Sequence, residues 1–488
     1  ELTATCLKTR FQQVDNRKTE RMDQSIRGYL GNLEQQGELL RFSKEVDPLE
    51  NLTAVGWKTY DQLGKSSLFD NLTGFPGWRA CNQIMTDRKK WAIGLGVEED
   101  EVIEAFNKRV HNPVEPVMVE RDGAPVKQII ETGDDVDLTK VPAAWTSEMD
   151  PGPFIASGMA IIKDPDTGIR NMSIHRQQVM GKNRTGYLIC PRQALRTYEK
   201  YQQRDEAMPV AMVVGAHPAL YFSSSYTAPY GTDELTIAGA LMGEPVRLVK
   251  CETIDIEVPA EAEMIIEGEI PPDALTPEGP FGEGSGGYAM EGFTQYLDVK
   301  AITRRKDPIF YAMQCGAPMT DTQALVATAI DMLLWDHLKN VEGGLDLLDL
   351  RCLGIAGLMA VVIKLRPRVE GQAKTALMAA LSGPQMHPKL AIAVDDDIDA
   401  SDMRQVFWSL TTRVDAQRDV IKIPGARTWS LDNVSNIVPG QSPMHRIGTK
   451  TLIDATKPAV TDPVARARFT KAMPRNYDTV DLNDFLPN

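Results

Sequence analysis

The sequence predicts a two-domain protein of mixed α/β (α+β) class, and three observations carry that reading. From about residue 50 to 320, short β-type runs alternate with Pro, Gly and Asp punctuation, the pattern of sheet strands joined by tight connections. Residues 321–341 then show unbroken helical periodicity, and beyond them strand-like and helix-like segments alternate a second time. A chain of 488 residues has room for roughly two to four domains, each with its own core.

Residues 1–21 are polar, carry little periodicity and read as an extension. From Met22 the apolar residues Ile26, Tyr29, Leu30 and Leu33 recur at helical spacing as far as Gly37. Strands are predicted over 117–119, 159–162, 187–189, 210–214, 254–258 and 264–266, with helices over 192–203 and 236–242, in a domain dominated by a mixed sheet. In 321–341, Leu325, Ala329, Ile330, Leu333, Trp335 and Leu338 make a broad apolar face, Asp321 is a candidate N-cap, and Gly343 and Gly344 end the pattern. Such a helix spans about 30 Å, enough to link two domains. The spacing next predicts a strand over 358–365, a small-residue helix over 372–381, a strand over 390–394 and a helix over 403–414. The last ~60 residues are Pro-rich and polar and read as a tail that packs on a neighbour. The predicted boundaries are therefore 1–21, 22–320, 321–341 and 342–488.

A hydrophobic fraction of 42% and a charged fraction of 25% exclude a disordered or collagen-like chain. The 53 Lys and Arg against 67 Asp and Glu give a net charge of -14. The densest basic stretches, Arg304-Arg305-Lys306 and Arg466 with Arg468, are too short to offset it, so neither nucleic acid nor an anionic membrane is an expected partner. The six cysteines (Cys6, Cys81, Cys190, Cys251, Cys315, Cys352) lie far apart without a CxxC pair, and buried free thiols in a reducing compartment are expected. Pro209, Gly215, Pro218 and Pro229 interrupt the uncharged span 207–232, and the apolar run 353–363 falls short of the ~20 residues a membrane helix needs. The N-terminus shows no signal-peptide pattern, and a cytoplasmic location is expected.

Three clusters carry candidate chemistry. TPEGPFGEGSGGY (276–288) formally satisfies GxGxxG at Gly282, Gly284 and Gly287. Pro277 and Pro280 precede it and no amphipathic helix follows, which disfavours a dinucleotide-binding turn. What stands out is the pair Glu278 and Glu283 in a scaffold where glycine lets a backbone approach a ligand and proline stiffens the support. Two solvated glutamates on a surface turn are the competing reading. In Asn171-Met-Ser173-Ile174-His175-Arg176, alternation puts Asn171, Ser173 and His175 on one face and Met172, Ile174 and Arg176 on the other. Such a strand serves a polar ligand with one face and aims a guanidinium with the other, or it is an exposed sheet face. In Ser223–Thr232, running into Asp233-Glu234, hydroxyls and amides suit an anion such as a phosphate and Glu234 suits a hard cation; a polar loop capping a helix is the alternative. The acidic run Asp395-Asp396-Asp397 fails as a calcium loop because Ala400 and Val406 stand where Gly and Glu are required. The six histidines show no HExxH or paired spacing.

Taken together, these segments resemble the UbiD-type decarboxylases, which use prenylated FMN. The resemblance runs along nearly the whole chain from Met22 and keeps its order: GELLRF, NxSIxR, the Ser-Tyr segment ending in Glu234, LVKCETIDIEVPAEAEMIIEG (248–268), GPFGE and VDDDID. It implies a split-barrel-like flavin-binding domain, a linking helix and a C-terminal αβ oligomerisation domain, assembled as a homodimer or homohexamer. The activity implied is reversible, non-oxidative decarboxylation of an aromatic, heteroaromatic or α,β-unsaturated carboxylic acid through a covalent prenyl-FMN adduct. Loss of CO2 leaves electron density on carbon, and the flavin is the sink that accepts it.

By the same resemblance, Arg176 meets the substrate carboxylate, Glu278 and Glu283 complete a Glu-Arg-Glu network, and Glu283 protonates the carbon. Asn171 and Glu234 match ligands of a manganese or magnesium ion that ties down the flavin phosphate, with potassium nearby. Ser173, Ile174, Arg176, Gln193, Ser225 and Tyr226 match cofactor contacts, and Lys389 a lysine pairing with the phosphate. In Cys190-Pro191-Arg192-Gln193, Gln193 falls where ferulic acid-type enzymes carry a histidine ligand. The third metal ligand would then be a neutral amide, suited to an oxygen-loving cation. Arg192, where those enzymes have glutamine, would border the substrate with Ile189 and recognise a second polar or acidic group, or else point to solvent. A separate flavin prenyltransferase is the implied cofactor supplier. A plain flavin or nicotinamide oxidoreductase and a non-catalytic family member remain as rivals.

Overall fold

A computed structural model describes residues 22–190, 192–290, 292–316, 319–440, 445–477 and 479–486; the expected extension at 1–21, with Cys6, and Pro191 lie outside the described residues. The chain is of mixed α/β class, as expected, and divides into two compact units, Glu1–Glu283 with Tyr288–Leu325 and Gly284–Gly287 with Val326–Asn488.

An eight-stranded sheet dominates the first unit. Its path runs Arg184–Tyr187, Gly292–Arg304, Met264–Ile270, Met208–Val214, Met159–Lys163, Arg170–Ile174, with Ile129–Thr132 and Thr276–Glu278 also paired to the long strand Gly292–Arg304. Every pairing in it is antiparallel, and it does not close into a barrel. The mixed pairing expected of this unit is found in a four-stranded sheet, where Leu39–Phe42 runs parallel to Ser66–Phe69 and Ile309–Tyr311 parallel to Arg79–Asn82, around one antiparallel pair. The strands Met159–Lys163 and Met208–Val214 are almost wholly buried, and their Met, Ile and Val side chains form the main core with Tyr187, Ile189 and Tyr198. Helices Gln193–Gln203, Pro218–Ser225 and Glu234–Met242 pack on strand Arg170–Ile174. That strand thereby becomes the shared floor of several segments singled out above.

The second unit holds a six-stranded sheet ordered Leu347–Cys352, Ala360–Leu365, Leu390–Val394, Arg446–Asp454, Val420–Thr428, with Asn436–Ile437 also on Arg446–Asp454. The three central strands are parallel, which requires crossover connections; helices Gln372–Ser382 and Met403–Arg413 supply them.

Several expectations are corrected. Of the predicted strand 187–189 only Tyr187 is extended, as the end of Arg184–Tyr187, and of 254–258 only Glu257 and Val258 are, at the start of Glu257–Pro259. Ser223–Ser225 belong to a helix, Pro218–Ser225, rather than a loop. The polar tail includes an inner strand, Arg446–Asp454, with Leu452 at 1% exposure. Asp321 begins helix Asp321–Lys339 but spends both carboxylate oxygens on the N–H groups of Gln83 and Met85. Cys190 is exposed, while Cys81, Cys315 and Cys352 are buried free thiols. Among the described residues no helix is long and apolar enough to cross a membrane.

Candidate active site

Strand Arg170–Ile174 ends two residues short of Arg176, so the arginine leaves the sheet edge where the backbone turns toward Gln177–Gln178. Glu278 closes strand Thr276–Glu278, and Glu283 follows the short strand Phe281–Gly282. The two glutamates close on the same guanidinium. Arg176 Nε and Nη2 donate to Glu278 Oε1 and Oε2 at 2.9 and 2.6 Å, and Nη1 donates to Glu283 Oε1. Glu278 and Glu283 are buried, at 4% and 9% exposure, so the surface-turn reading of this pair is set aside. The Phe281 ring lies 4.8 Å from the guanidinium carbon and is itself packed on Phe154 at 4.5 Å. Burial alone would lower the Arg176 guanidinium, but the charge of Glu283 and the bond and charge of Glu278 outweigh it and raise it further. Gly279, with φ of 88°, sits in the left-handed region that glycine tolerates. The strands Phe281–Gly282 and Tyr288–Ala289 form a hairpin, not the strand-turn-helix a dinucleotide loop requires.

A second constellation is built on strand Arg170–Ile174 itself, around Asn171. Asn171 Nδ2 donates to Gln193 Oε1 at 3.3 Å and to Glu234 Oε1 at 3.1 Å. Gln193 and Glu234 are the first residues of their helices, so two helix N-termini converge here, each carrying positive partial charge. Arg170 locks the arrangement from the adjacent position by binding Asp233 at 2.7 Å and Glu257 at 2.8 Å. Glu234 is 2% exposed, has no ion pair among the described residues, and accepts from the Met172 N–H at 2.7 Å. Burial pushes its carboxyl up to about 8, against the pull of the Met172, Glu234 and Asn171 hydrogen bonds. Asn171 Oδ1 is buried with no hydrogen-bond partner. Exchanging the amide oxygen and nitrogen of Asn171, which have the same shape, makes three oxygens converge on one point. A hard cation there would satisfy the orphaned oxygen and neutralise the buried carboxylate, so the residues present fit a divalent metal.

The remaining predicted residues fall around these two groups or outside them. Ser173 Oγ is 2.8 Å from His175 Nε2, and His175 Nδ1 is 2.9 Å from the Leu188 carbonyl. A carbonyl only accepts, so Nδ1 carries the proton; burial lowers the imidazole, which leaves Nε2 to accept from Ser173. Ser173, Ile174, Ser225 and Tyr226 are each half-buried. Gln193 Nε2 donates to the Ala228 carbonyl at 2.9 Å, tying the Ser-Tyr segment to the same group. Arg192 is exposed and donates to Thr227 Oγ1 at 3.4 Å. Ile189 is buried in the main core at 7% exposure. Lys389 belongs to the second unit and is held by Asp432 Oδ1 at 2.7 Å. Sequence reasoning missed Arg170, Phe281 and Phe154, whose roles come from pairings between distant segments; the adjacency of Arg170 to Asn171 was the one local signal.

Three family profiles match the chain in order: the 3-octaprenyl-4-hydroxybenzoate carboxy-lyase N-terminal domain over residues 30–110, the Rift-related domain over 117–318 and the C-terminal domain over 323–455. Among solved structures, the UbiD-class enzyme HmfF from Pelotomaculum thermopropionicum in complex with FMN is 33% identical, with 95% of this chain and 100% of that chain covered and a TM-score of 0.87. An evolved dimeric form of HmfF in complex with prFMN is 32% identical over 95% of this chain and 100% of that chain, with a TM-score of 0.83. The apo 3,4-dihydroxybenzoic acid decarboxylase of Klebsiella pneumoniae is 26% identical over 95% of this chain and 99% of that chain, with a TM-score of 0.84. The chain belongs to the UbiD family of carboxy-lyases.

Proposed function

We propose that the protein catalyses reversible, non-oxidative decarboxylation of an aromatic, heteroaromatic or α,β-unsaturated carboxylic acid at Arg176, Glu278 and Glu283. The observation that carries this reading is the buried guanidinium clasped by two carboxylates, Nε and Nη2 on one and Nη1 on the other. Prenylated FMN, bound as in the HmfF complex with prFMN, would supply the electron sink for the C–C bond that breaks as CO2 leaves.

The residues' work follows from their placement. Arg176 binds and orients the substrate carboxylate, a task a planar guanidinium performs with paired hydrogen bonds. Glu278 holds Arg176 from its Nε edge and fixes the direction of Nη1. With both carboxylates charged the three groups sum to −1, so a proton taken up by Glu283 would leave the cluster neutral for an anionic acid. Glu283 then gives that proton to the carbon from which CO2 has departed, and takes one back in the carboxylating direction.

Asn171, Gln193 and Glu234 would hold manganese or magnesium, with potassium beside it. The cation and the two helix N-termini would receive the flavin phosphate, with Ser173, Ile174, Ser225 and Tyr226 against the cofactor. Positive potential in a chain of net charge -14 would then come from the metal and the two helix ends. Arg192 would meet a second polar group on the substrate, with Ile189 also bordering it. The assembly is a homodimer or homohexamer, and a flavin prenyltransferase supplies the cofactor. The test is co-expression with such a prenyltransferase, mass spectrometry of the bound flavin, and a CO2-release screen over aromatic acids. Prenylated flavin with no CO2 from any acid, or substrate-dependent hydride transfer instead, would overturn the reading.

A further inference from the structure

The turn Thr146–Asp150 grips the base of the hairpin that carries Glu283. Asp150 is 2% exposed and, among the described residues, has no ion pair. Its Oδ2 accepts from Thr146 Oγ1 at 2.6 Å and from the Ser147 N–H at 2.9 Å, which closes its own turn. Its Oδ1 is aimed away from that turn and accepts the Gly282 N–H at 3.1 Å. Gly282 is the residue directly before Glu283. On the other arm of the hairpin, the Met149 N–H donates to Tyr288 Oη at 3.2 Å, and Tyr288 is the cross-strand partner of Gly282.

Contact between turn and hairpin is close. A Cβ on Gly282 would fall on Ser147 Oγ, so the hairpin has no freedom to slide toward the turn. Burying a carboxylate without an ion pair is costly, and a turn of this kind needs only the oxygen facing Thr146 and Ser147. Burial pushes the Asp150 carboxyl up, while the Thr146, Gly282 and Ser147 bonds and the charge of Arg176 draw it back. The second oxygen therefore has its use in what it holds, the backbone of Gly282.

We propose that Asp150 is a positioning residue for proton transfer: through the Gly282 N–H it fixes the backbone from which Glu283 reaches Arg176 Nη1 and the reacting carbon. The proposal rests on the reading of Glu283 as proton donor, so the test carries Glu283→Gln beside the Asp150 variants. In the holoenzyme, Asp150→Ala is expected to lower kcat about 10²-fold, the penalty of a misplacement near 1 Å, with KM and flavin content unchanged. Asp150→Asn keeps the shape but offers one carbonyl oxygen where two now serve, and kcat should fall about tenfold. A wild-type kcat in either variant with a full flavin complement, or a raised KM with kcat intact, overturns the proposal while leaving Glu283→Gln inactive. If Asp150→Ala fails to fold or to load flavin, Asp150→Asn alone decides. An active Glu283→Gln enzyme removes the proton-donor reading and the proposal together.

Discussion

Arg176 gives Glu278 two of its nitrogens, Nε at 2.9 Å and Nη2 at 2.6 Å, and Glu283 the third, Nη1. The asymmetry separates two duties. A bidentate fork fixes both the position and the plane of the guanidinium, and the Phe281 ring 4.8 Å away supports it. On the proposed mechanism, the single contact to Glu283 is the one a substrate carboxylate would exchange with, without unseating the arginine.

Arg176→Lys is therefore not a conservative change, because an ammonium has no fork with which to grip Glu278 and reach Glu283 at once. CO2 release is expected to fall roughly 10²–10³-fold, the range for removing one charge-stabilising donor. Each glutamate left buried without its partner also destabilises the fold, at roughly 3–5 kcal/mol for a broken buried pair, so the melting temperature should drop as well. A Lys variant within a factor of a few of the wild type would remove the bidentate argument.

Glu283→Gln keeps the shape and the contact with Nη1 while removing the proton that the proposed mechanism transfers. Flavin content should be unchanged and turnover lost in both directions, including the exchange of solvent deuterium into the product C–H that the reverse step permits. Glu278→Gln should instead weaken substrate binding, because an amide oxygen and NH2 cannot both accept from Nε and Nη2. The contrast to measure is loss of kcat in the first variant against a raised KM in the second.

Asn171→Ala removes the oxygen that now has no partner together with the amide that joins Gln193 to Glu234. Divalent metal, read by elemental analysis, and flavin, read by absorbance, should be lost together. A variant that keeps its full flavin complement would show that Asn171 is not a ligand.

These groups were legible in sequence to different degrees. NxSIxR and GPFGE stand out because Arg and Glu in short, rigid segments have no local reason to be there, and the periodicity of 321–341 is simple to read. Helix Leu52–Leu63 was missed because Thr53, Gly56 and Thr59 are among the residues it buries, which hides the apolar stripe. Strand Gly292–Arg304 was missed because Gln295, Asp298, Lys300 and Arg304 break up its apolar residues, although the strand is central to the sheet. Asp150 had no local signal at all, since its partner Gly282 lies more than a hundred residues away, and Phe281, although inside GPFGE, shows its contact with Arg176 only in the fold. Motif reading finds side chains that make their own case; what holds them in place depends on strand pairing.

Asp321 carries the last prediction. Its Oδ2 accepts the Gln83 N–H at 2.7 Å and its Oδ1 the Met85 N–H at 3.0 Å, while its own N–H donates to Gln83 Oε1 at 2.9 Å. The exchange pins the start of helix Asp321–Lys339 to a turn in which Gln83 adopts a φ of 55°. Burial pushes the carboxyl up to about 7, against the pull of the Met85 and Gln83 N–H groups. A folded-state value above the ordinary carboxylate range of about 4 means the native protein binds a proton there that the unfolded chain does not. The stabilisation from that proton is complete below about pH 4 and is lost as pH rises toward 7. Asp321→Asn is neutral throughout, and its cost of one weakened N–H bond does not vary with pH. Between pH 5 and 8 the wild type should therefore lose melting temperature relative to the Asn variant, by about 1–2 °C for each kcal/mol of lost stabilisation in a unit of this size. Melting curves that stay parallel across that range would show that the carboxylate is already charged in the folded state at pH 5, and that the two backbone N–H groups outweigh its burial.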